Sequence, residues 1–199
     1  MQTTLFTFLI LFSSAVFANS EIPNFIKVSD QIYRGGRPSP QGILTLKALG
    51  VKTDINLQGG DIVGQDPATN AFMEWWEPGE TSENIAREKT QVESLQIDFI
   101  SAPLNSILEV DDREDATIDR VLEIMNEPSA QPVFIHCEHG KDRTGLVIAL
   151  YKIKFQRMTV EAAYAEWAEA GHRGLGAYFT GNLDTYFYRK ANRIRSALL

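Results

Sequence analysis

The stretch from Pro132 to Tyr151 constrains this chain more than any other. It begins with the short β-branched and aromatic run Val133-Phe134-Ile135 and ends in the apolar run Leu146 to Tyr151, which has the length and composition of a buried helix. Between them lies a tight polar loop, His136-Cys137-Glu138-His139-Gly140-Lys141-Asp142-Arg143-Thr144-Gly145. A strand that passes through such a loop straight into a helix turns backbone N–H groups and the positive end of the helix dipole toward the loop's interior. That interior favours an anion. Cys137 stands at the start of the loop and Arg143 at the first turn of the helix. Thiols at helix N-termini beside cations are readily ionised near neutral pH, and a guanidinium binds two phosphate oxygens at once. A thiolate facing a bound phosphate describes covalent phosphoryl transfer.

The order His136-Cys137, five residues, then Arg143-Thr144 resembles the signature of the cysteine-dependent protein tyrosine phosphatase superfamily. A bare Cys and Arg at this spacing is a weak pattern, but the His before the Cys, Gly140, Thr144 and the strand-loop-helix setting make it specific. A second stretch extends the likeness. Asn24-Phe25, then Tyr33-Arg34-Gly35-Gly36-Arg37-Pro38, then Leu49 to Leu57 resembles the N-terminal half of atypical dual-specificity phosphatases and their bacterial relatives. The resemblance implies that Cys137 is the nucleophile and that Arg143 and the amides of Glu138, His139, Gly140, Lys141 and Asp142 hold the phosphoryl oxygens. It further implies that Thr144 assists the departing thiolate and that His136 orders the loop. No metal or other cofactor is expected.

The leaving oxygen needs a general acid. Members of the superfamily take an Asp about thirty residues before the cysteine, which falls near Ile107, where none stands. The nearest carboxylates are Glu109, Asp111 and Asp112. Asp111 is the first choice, then Asp112, then Glu109, although an acidic run also suits a helix N-terminus. Lys141 adds a second cation beside Arg143, as in the inositide-directed branches of the superfamily. The resemblance therefore implies an inositol polyphosphate such as inositol hexakisphosphate as substrate. Phosphotyrosine or phosphoserine proteins and phosphoinositide lipids are the alternatives, and a phosphate-binding module without turnover is the non-enzymatic one.

Residues 1–18 carry the apolar run Leu5 to Phe12 and small residues up to Ala18, which reads as a secretory signal, and residues 19–199 as a single phosphatase domain. The apolar run is shorter than a spanning helix, so no membrane insertion is expected after cleavage, and the expected location is periplasmic or secreted. Cys137 is the chain's one cysteine, and exported proteins usually carry cysteines in pairs, which independently marks it as a reactive thiol. The net charge of −7 argues against nucleic acid as partner and requires a local basic site for a phosphorylated small molecule. A monomer is expected.

A short extended piece within Ile32 to Pro38 that meets a Gly-Gly turn and a proline, and strand patterns at Val51–Leu57, Leu95–Ile100 and Val133–Ile135, alternate with helical patterns. The helices are expected after Ser39, after Ser82, from Asp115 to Met125, after Cys137, after Thr159 and from Leu183. This order implies an α/β fold with a central, mainly parallel sheet flanked by helices. Gln58–Ser82, with Trp75-Trp76, is the least regular part and a candidate lid.

Overall fold

A computed structural model describes residues 21–59, 81–104, 110–172 and 181–198. Five strands form one sheet: β1 (Ile26–Lys27), β2 (Ile32–Gly36), β3 (Thr53–Asn56), β4 (Asp98–Ser101) and β5 (Val133–Cys137). Their order is β1-β2-β5-β3-β4, with β1 antiparallel to β2 and every other pair parallel. The expected mainly parallel α/β sheet is therefore present, with β5 at its centre. A parallel sheet needs helices on both faces. The six described helices are α1 (Pro40–Ala48), α2 (Ser82–Ser94), α3 (Asp112–Asn126), α4 (Asp142–Gln156), α5 (Val160–Glu169) and α6 (Gly181–Ala197).

The alternation along β5 divides the core in two. Val133, Ile135 and Cys137 point toward the larger cluster, where Ile118, Val121, Leu122 and Met125 of α3 meet Leu146, Leu150 and Ile153 of α4 and Tyr186 and Phe187 of α6. Phe134 points to the other face, toward Ile43 and Leu46 of α1 and Val92 of α2. Helix α4 is buried from Arg143 to Tyr151, in keeping with its unbroken apolar run.

Four helices begin with a side-chain cap: Ser39 for α1, Thr81 for α2, Asp111 for α3 and Thr159 for α5. Several boundaries differ from those the sequence suggests. Thr81 rather than Ser82 caps α2, because its side chain reaches the amide of Asn84. Helix α3 begins three residues early, since Asp111 and Glu114 close a reciprocal capping box. Strand β4 begins only at Asp98, because Leu95 and Gln96 end α2, with Gln96 at φ 58°. The candidate lid lies almost wholly outside the described residues, as do residues 1–20 and Glu109. Among the described residues, no helix is long and apolar enough to cross a membrane.

Candidate active site

The loop after β5 is shaped from outside by groups near the N-terminus of the domain. The amide of Arg37 donates to the carbonyl of Glu138 at 3.0 Å, Asn24 Nδ2 to that of His139 at 2.8 Å, and Arg34 Nη2 to that of Gly140 at 2.6 Å. A trans peptide sends its N–H opposite to its C=O. Three carbonyls pulled outward therefore leave the following amides, of His139, Gly140 and Lys141, facing the loop's interior. Gly140 has φ +71°, and a Cβ there would lie 2.3 Å from the carbonyl carbon of Gly35. Only glycine lets the loop rest this closely on β2.

Helix α4 starts at this loop with Lys141 in the cap position and no side-chain cap hydrogen bond, unlike α1, α2, α3 and α5. Its first amides stay available to a ligand. Cys137 ends β5 almost fully buried, at 2% exposure, and is a free thiol. Arg143, also 2% exposed, donates from Nη1 to the carbonyls of Leu57 at 3.5 Å and Leu104 at 3.3 Å, so the ends of β3 and β4 fix its fork. Thr144 is fully buried and its hydroxyl has no hydrogen-bond partner among the described residues.

Glu138 is committed within the wall of the site. It accepts from Gln58 Nε2 at 2.7 Å and pairs with Arg37 at 3.3 Å. His139 is exposed, and Lys141 and Asp142 are half-buried. Trp167 packs on Gly145 and donates from Nε1 to the carbonyl of Lys141 at 3.1 Å.

On the opposite face of β5, His136 is fully enclosed. Its Nε2 lies 2.8 Å from Glu88 Oε1 of α2 and 3.3 Å from Asp54 Oδ1 of β3, and its Nδ1 lies 3.3 Å from the carbonyl of Cys137. Burial alone would drive the ring toward neutrality, but the negative charge of Glu88 and Asp54 outweighs it and holds the pKa well above its ordinary value. Burial also raises the pKa of Asp54, opposed by His136 and reinforced by Glu88. His136 is thus held toward its charged form between two acidic side chains. Asp54, Glu88 and His136 are also the one metal-ligand grouping among the described residues, with donor atoms within 4.8 Å of one another.

The structure brings together Cys137, the loop, Arg143 and Thr144, and sets His136 behind them on the opposite face of β5. Of the general-acid candidates, Asp111 and Asp112 lie among the described residues and both stand at the start of α3. Asp111 caps α3, accepting the amide of Glu114 at 2.8 Å, and Asp112 is the exposed first residue of that helix. Sequence reading missed Asp54 and Glu88 because nothing local marks either: both are buried, and they meet His136 only through the packing of α2 on the sheet. From the sequence, Arg34 suits a reach toward the site or a surface role equally well; it is 4% exposed and holds the loop. Burial lowers its pKa, with the negative charge of Cys137 and Asp142 opposing.

A parallel sheet whose central strand ends in a buried cysteine, followed by an amide-lined loop and a helix-borne arginine, defines a cysteine-dependent phosphatase fold and site. A sequence profile described as the tyrosine phosphatase family matches residues 21–193, and the chain belongs to that family. Among its relatives, the dual specificity protein phosphatase TpbA of Pseudomonas aeruginosa is 26% identical over 164 residues, covering 79% of this chain and 62% of TpbA. The inositol diphosphatase DSP4 of Arabidopsis thaliana is 26% identical over 144 residues, covering 72% of this chain and 62% of that protein. The chain therefore spans less than two thirds of these relatives' length.

Solved structures carry the same fold. The structure of P. aeruginosa TpbA in complex with pTyr superposes with a TM-score of 0.61 at 22% identity, covering 87% of this chain and 89% of that one. The core catalytic domain of the PP-IP phosphatase SIW14 from S. cerevisiae, in complex with citrate, superposes with a TM-score of 0.58 at 20% identity, covering 89% and 94%.

Proposed function

We propose that this chain is a phosphoric monoester hydrolase that works through a phosphocysteine and acts on inositol polyphosphates. The observation that carries the reading is the open N-terminus of α4, with inward-facing loop amides between a buried Cys137 and a fixed Arg143. These groups bind a tetrahedral dianion and stabilise the charge that develops on its equatorial oxygens. Cys137 Sγ attacks phosphorus, the alcohol leaves, and water then cleaves the S–P bond with Thr144 donating to the departing sulfur.

Lys141 supports the inositol polyphosphate reading, because its ammonium adds a cation at the rim where a second phosphate would lie. Its methylenes rest against Gly171 and its carbonyl is held by Trp167, which limits where the ammonium reaches. The relatives named inositol diphosphatases support an inositol phosphate as the substrate class, and the relative named a dual specificity protein phosphatase supports a phosphoprotein instead. With residues 1–18 as an export signal, the role is phosphate scavenging outside the cytoplasm.

The test is phosphate release by the chain from Asn19 onward, using inositol hexakisphosphate, a phosphotyrosine peptide and a phosphoinositide lipid, with Cys137→Ser as control. Preference for the inositol polyphosphate and loss of turnover in Cys137→Ser are expected. Preference for the peptide or lipid overturns the substrate, and turnover near wild type in Cys137→Ser overturns the covalent mechanism.

A further inference from the structure

A crevice of about 410 Å³ opens where the edge strand β1 meets α4 and α5. That volume lies in the range of small-molecule sites. No residue from Cys137 to Thr144 lines it, so it is a different space from the one that the loop encloses. Ile26 and Val28 line it from the sheet edge, Ile148 from α4 and Trp167 from α5. Arg34 lines it too, and its guanidinium is only partly satisfied. Nη2 donates to the carbonyl of Gly140 at 2.6 Å, but Nε is buried and has no hydrogen-bond partner among the described residues, in a side chain that is 4% exposed. A buried charged donor is costly to leave open, so its position marks where an acceptor belongs.

The crevice's other charges fix what kind of acceptor. Lys152 pairs with Glu166, and the exposed Lys27 pairs with Asp30 at 2.8 Å. Glu169, also in the lining, is exposed. The buried Arg34 thus calls for one negative charge, while Glu166 and Glu169 repel a ligand that carries several. We infer that this crevice is a second ligand site, for an organic monocarboxylate whose oxygen accepts from Arg34 Nε and whose apolar body lies against Ile148 and Trp167. An inositol polyphosphate is excluded from it by its own charge.

Two residues of this lining also hold the phosphate loop. Arg34 binds the carbonyl of Gly140, and Trp167 donates from Nε1 to that of Lys141 at 3.1 Å while packing on Gly145. A carboxylate on Nε leaves Nη2 its bond to Gly140 and fixes the guanidinium where it serves the loop. The occupied crevice therefore favours the loop shape that receives an anion. By linkage, an anion in the loop tightens the crevice's ligand by the same factor. This coupling rests on the phosphatase reading above, whereas binding in the crevice does not.

The test is calorimetric titration of phenylacetate, with phenylacetamide as the uncharged control, into the chain holding saturating orthovanadate. The vanadate fills the loop, so the carboxylate cannot report that site. Two variants probe the crevice: Ala170→Phe fills it from the end of α5, and Arg34→Lys keeps a cation but removes the Nε–H. Phenylacetate is expected to bind one to one and phenylacetamide not, and both variants should weaken binding about tenfold or more. With the crevice occupied, the inhibition constant of orthovanadate on an aryl phosphate should fall roughly fivefold, and not in Ala170→Phe. No binding to the vanadate-filled chain, equal binding of the amide, or binding unchanged in the variants overturns the site. An inhibition constant unmoved or raised by phenylacetate overturns the coupling. If Arg34→Lys does not fold, Ala170→Phe decides. Wild type inert toward every aryl phosphate refutes the phosphatase reading itself, and titration of the chain without vanadate then decides the crevice.

Discussion

Replacing Gly140 by alanine tests whether the loop's close seat on β2 matters, and the chain supplies its own control. Gly50 has φ +77° and open space within 4 Å of where a Cβ would stand, whereas Gly140 has φ +71° and its Cβ would meet Gly35 C at 2.3 Å, Gly36 N at 2.4 Å and Gly35 O at 2.5 Å. Both substitutions carry the left-handed strain of an L-residue, about 1–2 kcal/mol. Only Gly140→Ala also meets backbone, in a strand paired with β5 from Ile32–Val133 to Gly36–Cys137. Relieving that overlap needs a shift of about 1 Å, judged against ordinary carbon contacts near 3.5 Å. Such a shift breaks the 2.6 Å bond from Arg34 to the Gly140 carbonyl. A buried hydrogen bond from a charged donor adds about 1.5–3 kcal/mol. Gly140→Ala is therefore expected to lose about 3–5 kcal/mol and Gly50→Ala about 1 kcal/mol by urea denaturation. A misplacement of this size also costs about 10²-fold in rate, so kcat/KM on an aryl phosphate should fall by that factor in Gly140→Ala alone. Two variants of equal stability, or a Gly140→Ala enzyme at wild-type rate, would refute the reasoning.

Two further expectations concern charge. Glu88→Gln removes one partner of the enclosed His136 and is expected to cost about 3 kcal/mol. Raised pKa values for His136 and Asp54 both mean that the folded state binds extra protons, so their contribution is present at low pH. The Asp54 part is lost as pH rises from about 4 and the His136 part as pH rises from about 6.5 through its raised native value; in Glu88→Gln the His136 part should be smaller and its loss complete at lower pH, and parallel stability curves between pH 5 and 9 would count against the raised His136 value. Asp115 has the opposite sign: burial opposes its charge, but hydrogen bonds from Tyr186 at 2.6 Å and Lys190 at 3.1 Å, with the charges of Lys190 and Arg193, hold its pKa below the ordinary carboxylate value. Asp115→Asn should cost about 2 kcal/mol at pH 7, allowing for solvent around Arg193, and the difference should vanish as pH falls below about 4; an equal cost at pH 3 would assign the effect to packing.

The strand, loop and first turn of α4 were legible because their chemistry is contiguous: Cys137, Gly140, Arg143 and Thr144 lie within one short segment. The sheet was legible for a similar reason, since apolar runs and caps such as Ser39 and Thr159 mark their elements locally. What shapes the loop was not. Its carbonyls answer to Asn24, Arg34 and Arg37, its histidine to Asp54 and Glu88, and Asp142 to His172, all joined through the tertiary fold. Asp111 illustrates the converse, because an acidic run ahead of an apolar face satisfies a helix dipole whether or not it serves chemistry.

Helix capping separates these cases. Where α1, α2, α3 and α5 begin, a hydroxyl or carboxylate from the chain accepts an early amide and leaves less for a ligand to bind. Where α4 begins, the residue before it is a lysine, which has no acceptor to offer. The amides turned inward by Arg34, Arg37 and Asn24 thus meet a cationic rim and a fixed guanidinium. Substituting Lys141 by serine would supply the missing acceptor. It should weaken phosphate binding through competition for the same amides as well as through loss of charge, so Lys141→Ser should raise the orthovanadate inhibition constant more than Lys141→Ala. Equal constants for the two variants would show that the open helix terminus is not what receives the anion.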